Sequence, residues 1–370
     1  MTENIYDAVV IGAGVIGLAI SRKLTQEGKD VLIIEEQGQI GSVTSSRNSG
    51  VIHAGVYYDK DSLKAKFCPD GNRRMYEYCE SRSVPHLNTG KFIVATSNNE
   101  IEKLEVIYNQ AKSAGVIDIE KVSGNHVSNV EPLVKCVEGL YVPSSGIVDT
   151  SALMRSYLGD IEDNGGMVSY NTFLKCADLR DNLFKIIVTQ NNEEIEINSH
   201  ILINASGIFA EKVANNFLFL DKSNIPKTYF AKGNYFETGK NLGIKHLIYP
   251  VPNEASLGLH LGLDMGMTVR FGPDVEWTEE INYTVDTNRE EMFYNDIVKY
   301  IPSIDRSFLK PGYSGIRPKL KNQGEGKSDF KIDCVKHHGI DNLINLFGME
   351  SPGLTSSLVI ADYVLSLIHI

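Results

Sequence analysis

The chain has 370 residues, 42% hydrophobic and 22% charged, with 36 basic against 47 acidic side chains and a formal charge of -11. That length supports two or three compact units without metal or disulfide staples, and the composition excludes a disordered chain. The acidic balance excludes a broad nucleic-acid surface, which needs a concentrated positive field, and leaves room for a local basic pocket that takes a small anion.

The first 35 residues read as a βαβ unit: a strand over 6–11, a glycine turn, a helix over 15–27 and a second strand over 31–34. Ile16, Ala19, Ile20 and Leu24 give that helix one apolar face, and unbroken runs such as AVVI and VLII suit a parallel sheet buried on both sides. The segment from Asp61 reads as helical in two pieces broken at 69–71, followed by a strand over 90–96 and an amphipathic helix over 100–114. Pro143 and Gly146 mark a loop, after which Thr150 or Ser151 caps a helix that ends at Gly165 and Gly166. LFKIIVTQ, EIEIN and HILINASG follow as strands. Short alternating segments over 217–310 suggest an antiparallel sheet in a separate domain, and LFGMESPGLTSSLVIADYVLSLI closes the chain as strand, glycine turn and helix. Five scattered cysteines, Cys68, Cys79, Cys136, Cys176 and Cys334, form no C-x-x-C pair and read as reduced thiols with no metal site. The N-terminus has no basic n-region and no apolar run is long enough for a spanning helix. The expected location is cytoplasmic, with any membrane contact peripheral and on the inner face.

Gly12, Gly14 and Gly17 form G-x-G-x-x-G between strand and helix, the context that gives the pattern its meaning. The first permits the tight turn, the second lets a pyrophosphate reach the backbone, and the third lets helix pack on strand. Val15 and Ile16 then offer N–H groups at the positive end of the helix. Glu35 ends the second strand 18 residues after Gly17, where a carboxylate accepts hydrogen bonds from an adenosine ribose and repels a 2'-phosphate. Its neighbour Glu36 joins the candidate cofactor set, with a side chain that should face away. The fingerprint does not separate NAD from FAD. Two later features favour FAD: Ala205 and Gly207 in LINASG, and the terminal turn with Gly348, Ser351, Pro352, Gly353, Leu354 and Thr355, a second helix N-terminus suited to a flavin carbonyl.

With these residues in hand, the chain resembles the FAD-dependent oxidoreductases typified by D-amino-acid oxidase, and among them the L-2-hydroxyglutarate dehydrogenases. The resemblance rests on DAVVIGAGVIGLAISRKL, TSSRNSGVIHAGVYYDKDSLKAKFCPDGNR, VPSSGIVD, LINASG, GYSGIRPKL and FGMESPGLTSSLVIADYV, which span nearly the whole chain. It implies an α/β (α+β overall) fold with a Rossmann-like FAD-binding domain, expected over 1–85, 145–215 and 311–370. A mostly antiparallel substrate domain is expected over 86–144 and 216–310. The chain departs from its relatives at Lys232, where Arg is common before the Gly.

Oxidising a 2-hydroxy acid requires a hydride acceptor, a base for the hydroxyl proton and a cation for the carboxylate. The resemblance makes Arg317 the carboxylate clamp, through its bidentate fork, and places it beside the cofactor as well. His53 and His260 compete for the role of base, and His53 has the further options of positioning the flavin or bonding to it covalently. Ser45, Ser46, Arg47, Asn48 and Ser49 form a loop expected to approach the pyrophosphate and ring edge. Lys66, Lys232 and Tyr249 complete the candidate substrate set, although surface exposure is the competing reading for both lysines. The expected partners are a short L-2-hydroxy acid and a quinone or other electron acceptor. An amino-acid oxidase, a glycerol-3-phosphate dehydrogenase-like enzyme and a non-catalytic flavin or NAD-binding redox sensor remain as alternatives.

Overall fold

The apolar run at the N-terminus forms the strand Ile5–Ile11, whose Ala8, Val9 and Val10 are fully buried. In the computed structural model, which describes residues 5–252 and 258–368, this strand is central to a sheet whose parallel members are ordered Met167–Ser169, Val31–Ile34, Ile5–Ile11, Glu193–Asn204 and Leu343–Phe347. Alternation along the strands divides the core. Val9, Ile11, Leu32 and Ile34 face an apolar cluster with Phe184, Ile186, Val188 and Phe217. The helix Val15–Gln26 packs chiefly against the terminal helix Gly353–Leu367 and against Thr150–Asp163.

The chain divides into two compact units: residues 1–46, 150–229 and 317–370, and residues 47–149 and 230–316. The segment 47–85, expected with the dinucleotide-binding unit, clusters instead with the second. Within that unit the two-residue strand Val51–Ile52 pairs with Gly146–Val148, which pairs in turn with His86–Leu87. Gly146, expected in a loop, therefore starts a strand.

The second unit carries a nine-stranded sheet, most of whose ladders are antiparallel; Lys91–Ala95 and Leu247–Pro250 run parallel. Phe92, Ile248, Leu261, Phe236 and Phe271 join Leu104, Ile107, Phe293 and Ile297 from the helices Ile101–Ser113 and Glu290–Ile297 in one core.

Two element expectations change. Leu63–Ser81 is one helix that continues through Pro69, because Cys68, Asn72, Met75 and Cys79 are buried along it on both sides of the proline. Continuous burial outweighs the single backbone hydrogen bond that proline removes. EIEIN and HILIN are parts of one strand, Glu193–Asn204, whose first half pairs with Leu183–Gln190 and whose end pairs with Leu343–Phe347.

Candidate active site

In the first unit, Gly12 adopts φ +105°, and a Cβ there would meet the Ala205 carbonyl oxygen at 2.8 Å. A Cβ on Gly17 would lie 1.9 Å from the Gly12 oxygen, so helix and strand meet backbone to backbone. The side chains of Val15 and Ile16 are buried, so neither offers side-chain surface to a ligand. The Val15 N–H donates to Ser45 Oγ at 3.0 Å. Ser45 thus caps the start of the helix.

Glu35 is 8% exposed and works as a clamp: one carboxylate oxygen accepts the Ala13 N–H at 2.7 Å and the other the Gln37 N–H at 2.8 Å. Burial pushes its pKa up, while the two N–H donors pull the other way. Glu36 is half-buried. The loop after Glu35, including Gly38 and Gly41, lines a cleft of about 410 Å³ with Ser46, Ser151, Arg155 and Tyr170. Arg155 and Tyr170 are residues that sequence reasoning passed over. Neither lies in a recognisable motif.

Ala205 and Gly353, from the other predicted cofactor segments, lie against this turn and helix. Ala205 donates its N–H to Ile11 O at 2.9 Å, while Gly207, at φ +59°, faces open space. A Cβ on Gly353 would sit 3.7 Å from Ile16 Cδ1, so the two helix N-termini are neighbours. Gly348 turns the chain at φ +67°, and Glu350 beyond it is buried and paired with Lys319 at 2.8 Å. Ser351 is exposed, Pro352 and Thr355 are buried, Leu354 is half-buried, and Arg317 is partly exposed. This glycine-lined cradle with two helix N-termini and a carboxylate clamp fits a dinucleotide such as FAD.

In the second unit, His53 follows the strand Val51–Ile52, and its carbonyl accepts Asn72 Nδ2 at 3.1 Å and Cys68 Sγ at 3.3 Å. Asn72 is buried and also donates to Ser144 O at 2.9 Å, so the helix Leu63–Ser81 fixes the His53 backbone. The His53 imidazole is held well below its ordinary pKa by burial, then by the Lys91 charge and by His260. The rings of His260 and Tyr249 stack at 3.6 Å with an interplanar angle of 5°. Lys91 Nζ sits 4.8 Å from the centre of the Tyr249 ring and 5.8 Å from that of Tyr57. Burial lowers the Lys91 pKa to about 8 and pushes the Tyr57 and Tyr249 phenols and the Cys68 thiol up. At neutral pH the phenols and thiol therefore keep their protons and Lys91 is largely charged, whereas the His53 imidazole is unprotonated.

The structure therefore brings His53, His260 and Tyr249 together and adds Lys91, Cys68 and Asn72, which sequence reasoning missed. Lys91 was hidden as the first residue of an apolar strand. Lys232 goes elsewhere: it is buried, donates to Thr284 O and lies 3.7 Å from Glu276, on the side of its strand shared with Asn234. Its charge is used within that polar group. Lys66 is exposed on its helix, where Lys64 is the buried lysine. Arg47 lies 4.1 Å from the centre of the Tyr283 ring and donates to Ser314 O at 3.4 Å, while Asn48 caps the Gly50 N–H at 2.7 Å and accepts Tyr313 Oη at 2.8 Å. Arg47, Asn48 and Ser49 belong to the second unit and Ser45 and Ser46 to the first, so the expected loop spans the boundary.

Comparison with known proteins gives the same picture. The family model described as "FAD dependent oxidoreductase", DAO, matches residues 7–367. L-2-hydroxyglutarate dehydrogenase, mitochondrial, of Arabidopsis thaliana is 38% identical, covering 97% of this chain and 82% of the relative. L-2-hydroxyglutarate dehydrogenase of Escherichia coli strain K12 is 27% identical, covering 98% of this chain and 92% of the relative. The structure of dithionite-reduced L-alpha-glycerophosphate oxidase from Mycoplasma pneumoniae with FAD bound superimposes with a TM-score of 0.89 at 23% identity, covering 99% of this chain and 95% of the other. At that identity the superposition shows the fold alone.

Proposed function

This chain belongs to the DAO family of FAD-dependent oxidoreductases, and we propose that it oxidises L-2-hydroxyglutarate, or a closely similar short L-2-hydroxy acid, to the 2-oxo acid. The observation that carries the reading is the 38% identity to an L-2-hydroxyglutarate dehydrogenase over 97% of the chain. The acceptor we propose for the released electrons is a quinone or similar small oxidant. Among the described residues no helix is long and apolar enough to cross a membrane.

When bound, FAD supplies the hydride acceptor. The chain holds it through the N–H groups at the two helix starts, the turn at Gly12 and the Glu35 carboxylate. His53, buried beside Lys91 and His260, takes the hydroxyl proton from the substrate. His260, stacked on Tyr249, presents a fixed ring edge for a hydrogen bond to the substrate oxygen. Arg317 pairs with a carboxylate of the substrate.

The test is anaerobic mixing of the holoenzyme with candidate substrates. L-2-hydroxyglutarate bleaches the flavin absorption, and glycine, sarcosine and D-alanine do not. Bleaching by the amines alone overturns the proposal. Reduction of a soluble quinone by the prereduced enzyme, faster than its oxidation by air, checks the acceptor.

A further inference from the structure

The sheet of the second unit buries a lysine without giving it an anion. Lys91 is 1% exposed, and among the described residues its ammonium has no hydrogen-bond acceptor or carboxylate partner. Its neighbours are the ring faces of Tyr57 and Tyr249, the imidazole of His53 and the thiol of Cys68. A π face returns only part of the hydration a buried cation gives up, and a buried charge without a counter-charge is among the least favourable features a fold can keep. Lys232 shows what the same sheet does with a lysine that serves structure: it closes the charge with Glu276 and a carbonyl.

We propose that Lys91 is an anion-binding residue that takes a carboxylate of the substrate next to His53. This assignment rests on the proposed 2-hydroxy acid reaction. It also explains how His53 can act. Burial comes first in holding the His53 imidazole well below its ordinary pKa, and the like charge of an uncompensated Lys91 ammonium adds to it. A carboxylate that neutralises Lys91 removes this like-charge repulsion, which favours an imidazole holding the proton lost by the substrate hydroxyl as the C–H electron pair leaves with the hydride. The base becomes effective when the anion is in place.

The groups facing Lys91 settle the expected pH behaviour. Tyr57, Cys68 and Tyr249 stay neutral near pH 8, because burial raises their pKa values, and His53 is neutral there as well. Lys91, with its pKa lowered to about 8, is then the group that loses charge. Anion affinity should fall as pH rises through that value.

The experiment compares wild-type holoenzyme with Lys91→Met and Lys91→Gln, using 2-oxoglutarate as the binding probe in calorimetry. Both variants should keep their flavin, bind the probe about 30-fold or more weakly, and lose the decline in affinity through pH 8. Their thermal midpoints should stay level or rise, since a buried unpaired charge has been removed. Probe affinity within threefold of wild type, or a sharp drop in midpoint with loss of flavin in both variants, overturns the assignment. If L-2-hydroxyglutarate does not reduce the wild-type flavin, the reading of the reaction fails and this assignment falls with it. If the wild type is reduced and the variants bind normally, only Lys91 has been misassigned.

Discussion

Gly17→Ala tests whether the glycine cradle is a ligand site held by close packing. The added Cβ would lie 1.9 Å from the Gly12 oxygen, 1.1 Å inside the 3.0 Å below which real Cβ contacts essentially do not occur. The obstacle is backbone, so relief requires the helix Val15–Gln26 to back away from the turn by about that amount. Overpacking of this kind costs about 1–3 kcal/mol, which lowers the thermal midpoint by roughly 2–12 °C. The same retreat misaims the N–H groups of the first helical turn. Losing one hydrogen bond to a charged phosphate, about 1.5–3 kcal/mol, weakens FAD binding roughly ten- to a hundredfold. Gly353→Ala is the internal control for packing, read by the thermal midpoint alone, because its Cβ would make only an ordinary 3.7 Å contact with Ile16. The assay is the flavin-to-protein absorbance ratio after dialysis, paired with thermal midpoints. If Gly17→Ala retains wild-type flavin and midpoint, or if both variants lower the midpoint equally, the packing argument is wrong.

Glu35→Gln places an amide NH2 against one of two N–H donors, so the Ala13 or Gln37 hydrogen bond is lost at about 1–3 kcal/mol, and FAD retention falls with it. Burial raises the Glu35 pKa, so between about 4.5 and the folded value the native state holds more protons than the unfolded chain. Stability from this group falls as pH rises through that window, and urea midpoints for Glu35→Gln should lack the slope. His53 has the opposite sign: its lowered pKa means that the unfolded chain binds the extra proton below 6.5, so stability rises with pH up to that value. The His53 contribution to flavin reduction should be lost only at pH below the ordinary histidine value of 6.5. His53→Gln should slow flavin reduction about 10²- to 10⁴-fold in stopped-flow measurements, and an unchanged rate removes His53 as the base. Arg317→Ala should lower kcat/KM by about 30-fold or more with flavin content intact; an unchanged KM refutes the clamp.

What the sequence made legible was the chemistry written in local spacing. Gly12, Gly14 and Gly17 sit within six residues of one another, and Glu35 follows at the end of a strand whose position the apolar run already marks. The turn at Gly348 and the helix behind it are also local, and the structure places Gly353 against Ile16 without any surprise in either element. Residues that act through pairing across a sheet were not legible. Lys91 and Lys232 both sit in apolar strands of the second unit, and composition alone gives no reason to treat them differently. Register separates them. Leu247 pairs with Lys91, which puts Lys91 on the same side of the sheet as Tyr249, whereas Lys232 lies opposite Glu276 and finds its counter-charge there. Within the helix Leu63–Ser81 a two-residue difference does the same, turning Lys64 inward and leaving Lys66 in solvent. A substitution that moves charge between such positions changes the function without changing the composition. Exchanging the side chains of Lys91 and Ile93, on the same side of one strand, therefore tests placement against mere presence of the cation: the protein should keep its flavin and lose its anion affinity.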